Sequence, residues 1–183
     1  MPWIGGFTTT ATGDVQTPAS AERLASAVGI PVDGGYGAIA ISTGSGAVLA
    51  SYAQGVAVVD ANDHLIAHAR GFDFEGSADD LVAVAAGDAQ LDQPVIVVAV
   101  TRGGHRESTT SLIVYQLADD KRLDLLFEAP VELHDGEQTF AGAVTFVPQG
   151  LVYRAPRGGL ERWRFDGSHR RYIRADTAQP VRD

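Results

Sequence analysis

The sequence predicts an all-β fold: antiparallel, propeller-like four-stranded blades with one short N-terminal helix, or a β-sandwich as the alternative. Three observations predict it. Past the first thirty or so residues, the apolar runs are about four to eight residues long, a strand's length rather than a helix's. Gly, Asp, Asn and Pro clusters separate them, as tight turns require. A weak internal repeat joins "SYAQGVAVVDANDHLIAHA" (51–69) to "TFVPQGLVYRAPRGGLERWR" (145–164). Gly55, Pro94 and Gly150 hold corresponding positions in it, 39 and 56 residues apart. Those spacings bracket a propeller blade of about 40–50 residues, with "TRGGHRESTT" (101–110) as the main insertion.

The helix is "TPASAERLASAVGIP". Thr17 suits the N-cap and Pro18 the first helical position, where a missing N–H costs nothing. Glu22 in the early turns favours the helix dipole. Leu24 and Val28 share a face with Ala21 and Ala25 beside them. Gly29 suits the left-handed C′ position, and Pro31 prevents resumption.

Twelve strands follow: "YGAIAIS", "AVLASYA", "GVAVVD", "HLIAHAR", "LVAVAAG", "PVIVVAVT", "SLIVYQL", "LDLLFEA", "FAGAVTFV", "GLVYRA", "LERWRF" and "RRYIR". The unbroken run Val95–Val100 suits a strand buried on both faces. "DAND" (60–63) and "PRGG" (156–159) supply the positive φ of tight hairpins, and "LADDKR" (117–122) is a longer polar connection. "LERWRF" alternates, with Leu160, Arg162 and Arg164 on one face and Glu161, Trp163 and Phe165 on the other. The expected organisation is an N-terminal segment 1–45 with the helix and a closing strand, a propeller-like domain 46–174, and a tail 175–183. Three blades leave a ring open. Residues 1–45 complete a fourth blade, or chains close the ring between them, or the repeat is accidental and the sheets form a sandwich.

With 183 residues the chain is long enough to bury a core without staples. It has no cysteine, which excludes disulfides and thiolate chemistry. No apolar stretch approaches a membrane helix, and the N-terminus lacks a signal peptide's basic start and apolar centre. A cytoplasmic location is expected if Met1 is native, and an exported one if Met1 was added ahead of a mature chain. Thirteen of the fourteen basic residues are arginine, which with the abundant Ala, Val and Gly points to a GC-rich bacterial genome.

Charge is unevenly spread on a chain of formal net charge −9. Residues 154–183 hold eight arginines against four acids, whereas the rest holds six basic and 19 acidic residues. That asymmetry marks a contact surface for an acidic partner, or a basic end facing its own acidic neighbours. Trp163 and Tyr172 interleave with arginines, a pattern that suits protein hot spots and anionic or sugar ligands. The candidate binding residues are Arg157, Arg162, Trp163, Arg164, Arg170, Arg171 and Tyr172. The overall negative charge argues against nucleic acid.

Catalytic and metal signatures are not found. His64 and His68 share a strand face about 13 Å apart at a rise of roughly 3.3 Å per residue, too far for one metal. No H-E-x-x-H or P-loop occurs, and "TGSGA" (43–47) is a turn with no helix after it. The acidic loop "GFDFEGSADD" (71–80) carries Asp73, Glu75, Asp79 and Asp80, a solvated connection or a surface for a cation or a basic partner.

"VAVAAGDAQLDQPVIVVAVTRGG…TTSLIVYQL" resembles a blade of the FG-GAP/VCBS class of β-propeller repeats. "GVAVVDANDHLIAHARG" is similar to strand pairs of pyrroloquinoline-quinone-type propeller repeats. The resemblance covers about three blades, residues 46–174, and implies a propeller. The family's calcium loops need more oxygens than Asp88, Gln90 and Asp92 provide, so no metal and no cofactor are expected. The expected function is a non-catalytic binding or assembly module of a bacterial protein, contacting a protein partner or another copy of itself. The alternatives are a hydrolase, or a carbohydrate-binding module using Trp163 or Trp3.

Overall fold

A computed structural model describes residues 1–14, 19–29, 38–51, 55–69, 80–91, 94–104 and 106–175. The elements are β1 (Ile4–Gly5), β2 (Thr8–Asp14), α1 (Ala19–Val28), β3 (Ala38–Thr43), β4 (Gly46–Ser51), β5 (Gly55–Asp60), β6 (Leu65–Ala69) and β7 (Asp80–Asp88). There follow β8 (Val95–Gly103), β9 (Glu107–Leu117), β10 (Leu123–Asp135), β11 (Gln138–Ala141), β12 (Ala143–Val147), β13 (Gly150–Arg154), β14 (Leu160–Asp166) and β15 (Arg171–Arg174). The fold is all-β, as expected, with one helix among the described residues.

Three sheets form. The first has the order β3-β4-β5-β6, the middle β11-β10-β9-β8-β7-β2, and the last β1-β12-β13-β14-β15. The first and last each contain four consecutive antiparallel strands as an up-and-down meander, and the middle one five, β7 to β11. One pair departs from the antiparallel expectation: β1 lies parallel to β12.

Alternation of side chains explains how the sheets stack. Ile96, Val98 and Val100 of β8 pack with Ile39, Val48 and Val56 of the first sheet. Val95, Val97 and Ala99 face the other way, toward Val144, Phe146 and Leu151 of the last sheet. An unbroken apolar run is therefore what a middle layer demands, because both of its faces are dry. The outer face of the first sheet is covered as well: Ala21, Leu24 and Ala25 of α1 pack on Leu49, Ala57 and Val59. Gly29 ends the helix with φ of 69°, as read from the sequence, while Thr17, Pro18 and Pro31 lie outside the described residues.

The expected division at residue 45 falls in the turn between β3 and β4, which pair from Ala38–Ser51 to Thr43–Gly46. β1 and β2 enter the last and middle sheets respectively. The N-terminal segment is thus woven into all three layers.

Two crossings between the middle and last sheets occur at glycine. Gly6, between β1 and β2, has φ of 65°, and a Cβ there would lie 2.0 Å from the Phe146 carbonyl oxygen. Gly142 breaks the expected strand 140–147 into β11 and β12. Its N–H donates to the Val131 carbonyl, and a Cβ would lie 2.5 Å from the Arg154 carbonyl oxygen. Conversely, the expected strand 123–129 runs on to Asp135. The register shift between Pro130 and Glu132 lets a residue without an N–H sit in the ladder.

The turn chemistry agrees with the sequence. Positive φ occurs at Asp63 in "DAND", Lys121 in "LADDKR", and Gly158 and Gly159 in "PRGG". The aligned Gly55, Pro94 and Gly150 do not hold equivalent places. Pro94 and Gly150 lead into the second strand of their meanders, and Gly55 opens the third of its own.

Candidate functional site

The outer face of the last sheet is the candidate site. Along β14 the alternation is as read: Glu161, Trp163 and Phe165 are partly buried, while Leu160, Arg162 and Arg164 are exposed. Hairpin register then adds neighbours that no single strand reveals. Val152 lies opposite Arg162, and Arg154 opposite Leu160. Ile173 lies opposite Arg164, and Arg171 opposite Asp166. The result is an open sheet surface of arginines set among Leu160, Val152 and Ile173. Leu160 is 63% exposed, the most of any large apolar side chain described.

Most other described arginines are tied. Arg23 pairs with Asp63 and Arg157 with Asp135. Arg102 meets Glu128 at 2.8 Å and Arg174 meets Glu161 at 3.1 Å. By contrast the guanidinium groups of Arg162, Arg164 and Arg171 have no hydrogen bond or ion pair among the described residues. The Arg154 guanidinium donates to the Ala141 carbonyl at 3.2 Å.

The structure divides the seven sequence-predicted residues. Arg162, Arg164 and Arg171 share the open face. Arg157 sits at the tip of the β13–β14 hairpin, its guanidinium 5.0 Å from the Phe140 ring centre. The other three lie off that face. Trp163 points into the stack, edge-on to Phe127 with ring centres 5.2 Å apart, and its indole N–H donates to Glu161 at 3.1 Å. Tyr172 is 3% exposed, surrounded by Phe127, Phe146 and Phe165. Its position on β15 puts it on the apolar face that Arg171 and Ile173 leave. Arg170 ties the last sheet to the middle one: Nε donates to Asp124 at 2.7 Å and Nη2 to Gln116 Oε1 at 3.3 Å. Arg122 first, and then Arg170, holds the Asp124 carboxyl below its ordinary range.

Trp3 also packs against the core between middle and last sheets, and its indole N–H reaches Glu132 at 3.3 Å. Neither tryptophan therefore offers the open platform that a carbohydrate-binding reading needs. The acidic residues Asp73, Glu75 and Asp79, together with Asp92 and the tail beyond Ala175, lie outside the described residues. Asp88 accepts from the Gln90 backbone N–H at 2.7 Å, which shapes the turn before β8.

Two features escape a sequence reading. A depression of about 520 Å³ at the far end of β8–β10 is lined by Arg102, Ser108, Thr109, His134, Asp135 and Arg157. Its cations are engaged with Glu128 and Asp135, and His134 Nδ1 lies 3.1 Å from the Thr139 hydroxyl. The β14–β15 turn gathers Asp166, Ser168 and His169. Here His169 Nδ1 approaches both Ser168 Oγ (3.0 Å) and Asp166 (2.8 Å). A catalytic triad needs the two ring nitrogens to face different partners, so this is a turn-stabilising cluster. Bonds from the Ser168 hydroxyl and the His169 ring hold the Asp166 carboxyl far below its ordinary range.

Among the described residues no group of three or more His, Asp or Glu side chains is arranged to hold a metal, and no helix is long and apolar enough to cross a membrane. Compared with protein-family models, curated proteins and solved structures, the chain matches none of them.

Proposed function

We propose that this chain is a non-catalytic binding or assembly module whose outer β-face docks a protein partner. One observation carries the reading: the two ends of the stack are finished differently. The first sheet's outer face is sealed by α1. The last sheet's outer face carries exposed Leu160 and three arginines without a described partner. An exposed leucine with half-buried Val152 and Ile173, set among unpaired arginines, has the composition of a protein interface.

The architecture supports a propeller-like reading. Three meanders, of four, five and four strands, are layered face to face, as neighbouring blades are. The open face then occupies the place where a further layer would pack.

Photo-crosslinking tests the docking face. A crosslinking side chain at Val152, in the cells that make the protein, is expected to capture one protein, identified by mass spectrometry. Arg162→Glu/Arg164→Glu should abolish that adduct without changing the circular dichroism. Equal yields from Val152 and from Glu22, on the exposed side of α1, refute the reading.

A further inference from the structure

Resting on that docking reading, we propose that the occupant is an extended acidic segment of a protein partner, laid along β14. Its side chains would run apolar, acidic, acidic at alternate positions. Leu160, Arg162 and Arg164 follow one another on a single strand face, about 7 Å apart at the strand rise. An extended segment repeats its own side chains with that same spacing. It therefore meets the row one to one: an apolar group on Leu160, then a carboxylate on each guanidinium. Arg171 lies diagonal to Arg164 across the β14–β15 pairing and directly opposite Asp166, which ends the positive row on β14.

Charge decides against the other occupants. A second copy packed face to face would set Arg162, Arg164 and Arg171 against themselves, since a two-fold interface opposes the same patch to itself. Like charges in such a contact cost several kcal/mol. Nucleic acid would have to run from a small basic face onto a chain whose residues before 154 carry 19 acids against six bases. Binders of nucleic acid need a broader basic surface.

The test uses the isotopically labelled full chain and nuclear magnetic resonance shift mapping at about 10 mM salt, where screening is weak. The probe is Thr-Leu-Thr-Glu-Thr-Glu-Thr, and the control Thr-Leu-Thr-Glu-Glu-Thr-Thr has the same composition with adjacent acids. The probe is expected to shift Leu160–Arg164, and the control to bind about fivefold more weakly, the loss of one aligned ion pair. Arg162→Glu/Arg164→Glu should remove the response. The proposal falls if both peptides bind equally or neither binds. It also falls if oligothymidylate of matched charge binds more tightly, or if the protein dimerises through this face in light scattering. A Val152 crosslink that survives while the peptide fails would leave the docking face standing and remove only the acidic segment. Loss of both removes both.

Discussion

Removing one oxygen from each of two buried tyrosines should lower stability at one and not at the other. Tyr153 and Tyr172 are 7% and 3% exposed, and both pack on Phe127. The Tyr153 hydroxyl donates to the Pro130 carbonyl at 2.7 Å, across the gap between last and middle sheets. The Tyr172 hydroxyl is buried without a hydrogen-bond partner among the described residues. Tyr153→Phe deletes a made bond and should cost about 1 kcal/mol. Tyr172→Phe removes a polar group that folding strips of water without replacement, a burden of about 1–3 kcal/mol. That variant should be unchanged or more stable. Urea denaturation with circular dichroism measures both, with the slope held constant so that midpoint shifts report stability. Thermal midpoints should separate by at least about 2–4 °C per kcal/mol of difference. If Tyr172→Phe loses as much as Tyr153→Phe, the Tyr172 hydroxyl has a partner, such as an ordered water, and the reasoning fails.

Other perturbations follow from the same contacts. Leu24→Ala, at a helix residue 2% exposed, should lose about 2–5 kcal/mol; a smaller loss in denaturant means α1 does not seal the first sheet. Arg170→Ala should cost about 1 kcal/mol, modest because its side chain is 35% exposed, whereas Arg162→Ala should stay within about 0.5 kcal/mol. Equal losses would place Arg162 in the fold rather than on the open face. Burial, with a smaller contribution from Glu128, pushes the Tyr115 phenol up to about 12, and burial pushes Tyr172 higher than its ordinary value too. Both folded values exceed the unfolded value near 10. Their contribution is therefore complete below about pH 10 and is lost as pH rises through the folded values. Phenolate absorbance should rise together with loss of circular dichroism; a full rise near pH 10 with the dichroism intact contradicts it.

Strand existence was legible wherever packing is one- or two-faced. Val95–Val100 announced a doubly buried strand, and "LERWRF" its two unlike faces. Turns were legible because Asp63, Gly158 and Gly159 are residues that tolerate positive φ. Breaks were less so. The strand expected over 123–129 stops short of Pro130, whose missing N–H breaks a regular ladder, while the fold supplies a bulge. Gly142 looked like strand interior because its role is a close approach to Arg154, a residue 12 positions on. The short β1 and the Thr-rich β2 carry no apolar run of their own, and partners far along the chain make them strands.

The candidate site divides in the same way. Alternation along β14 placed Arg162 and Arg164 together, since side chains on a strand change face at every residue. The same rule, applied to β15, could have separated Tyr172 from Arg171. What it could not say was which face would be covered. Composition and periodicity by themselves determined the all-β class, the helix, the doubly buried strand and the basic C-terminal end, because these depend on neighbours in sequence. The order of the sheets, the sealing of one end by α1, the internal use of Arg170 and the exposure of Leu160 and partial exposure of Val152 and Ile173 beside unpaired arginines belong to tertiary structure. They depend on which face meets another layer and which meets solvent, and that is set by residues far apart in the chain.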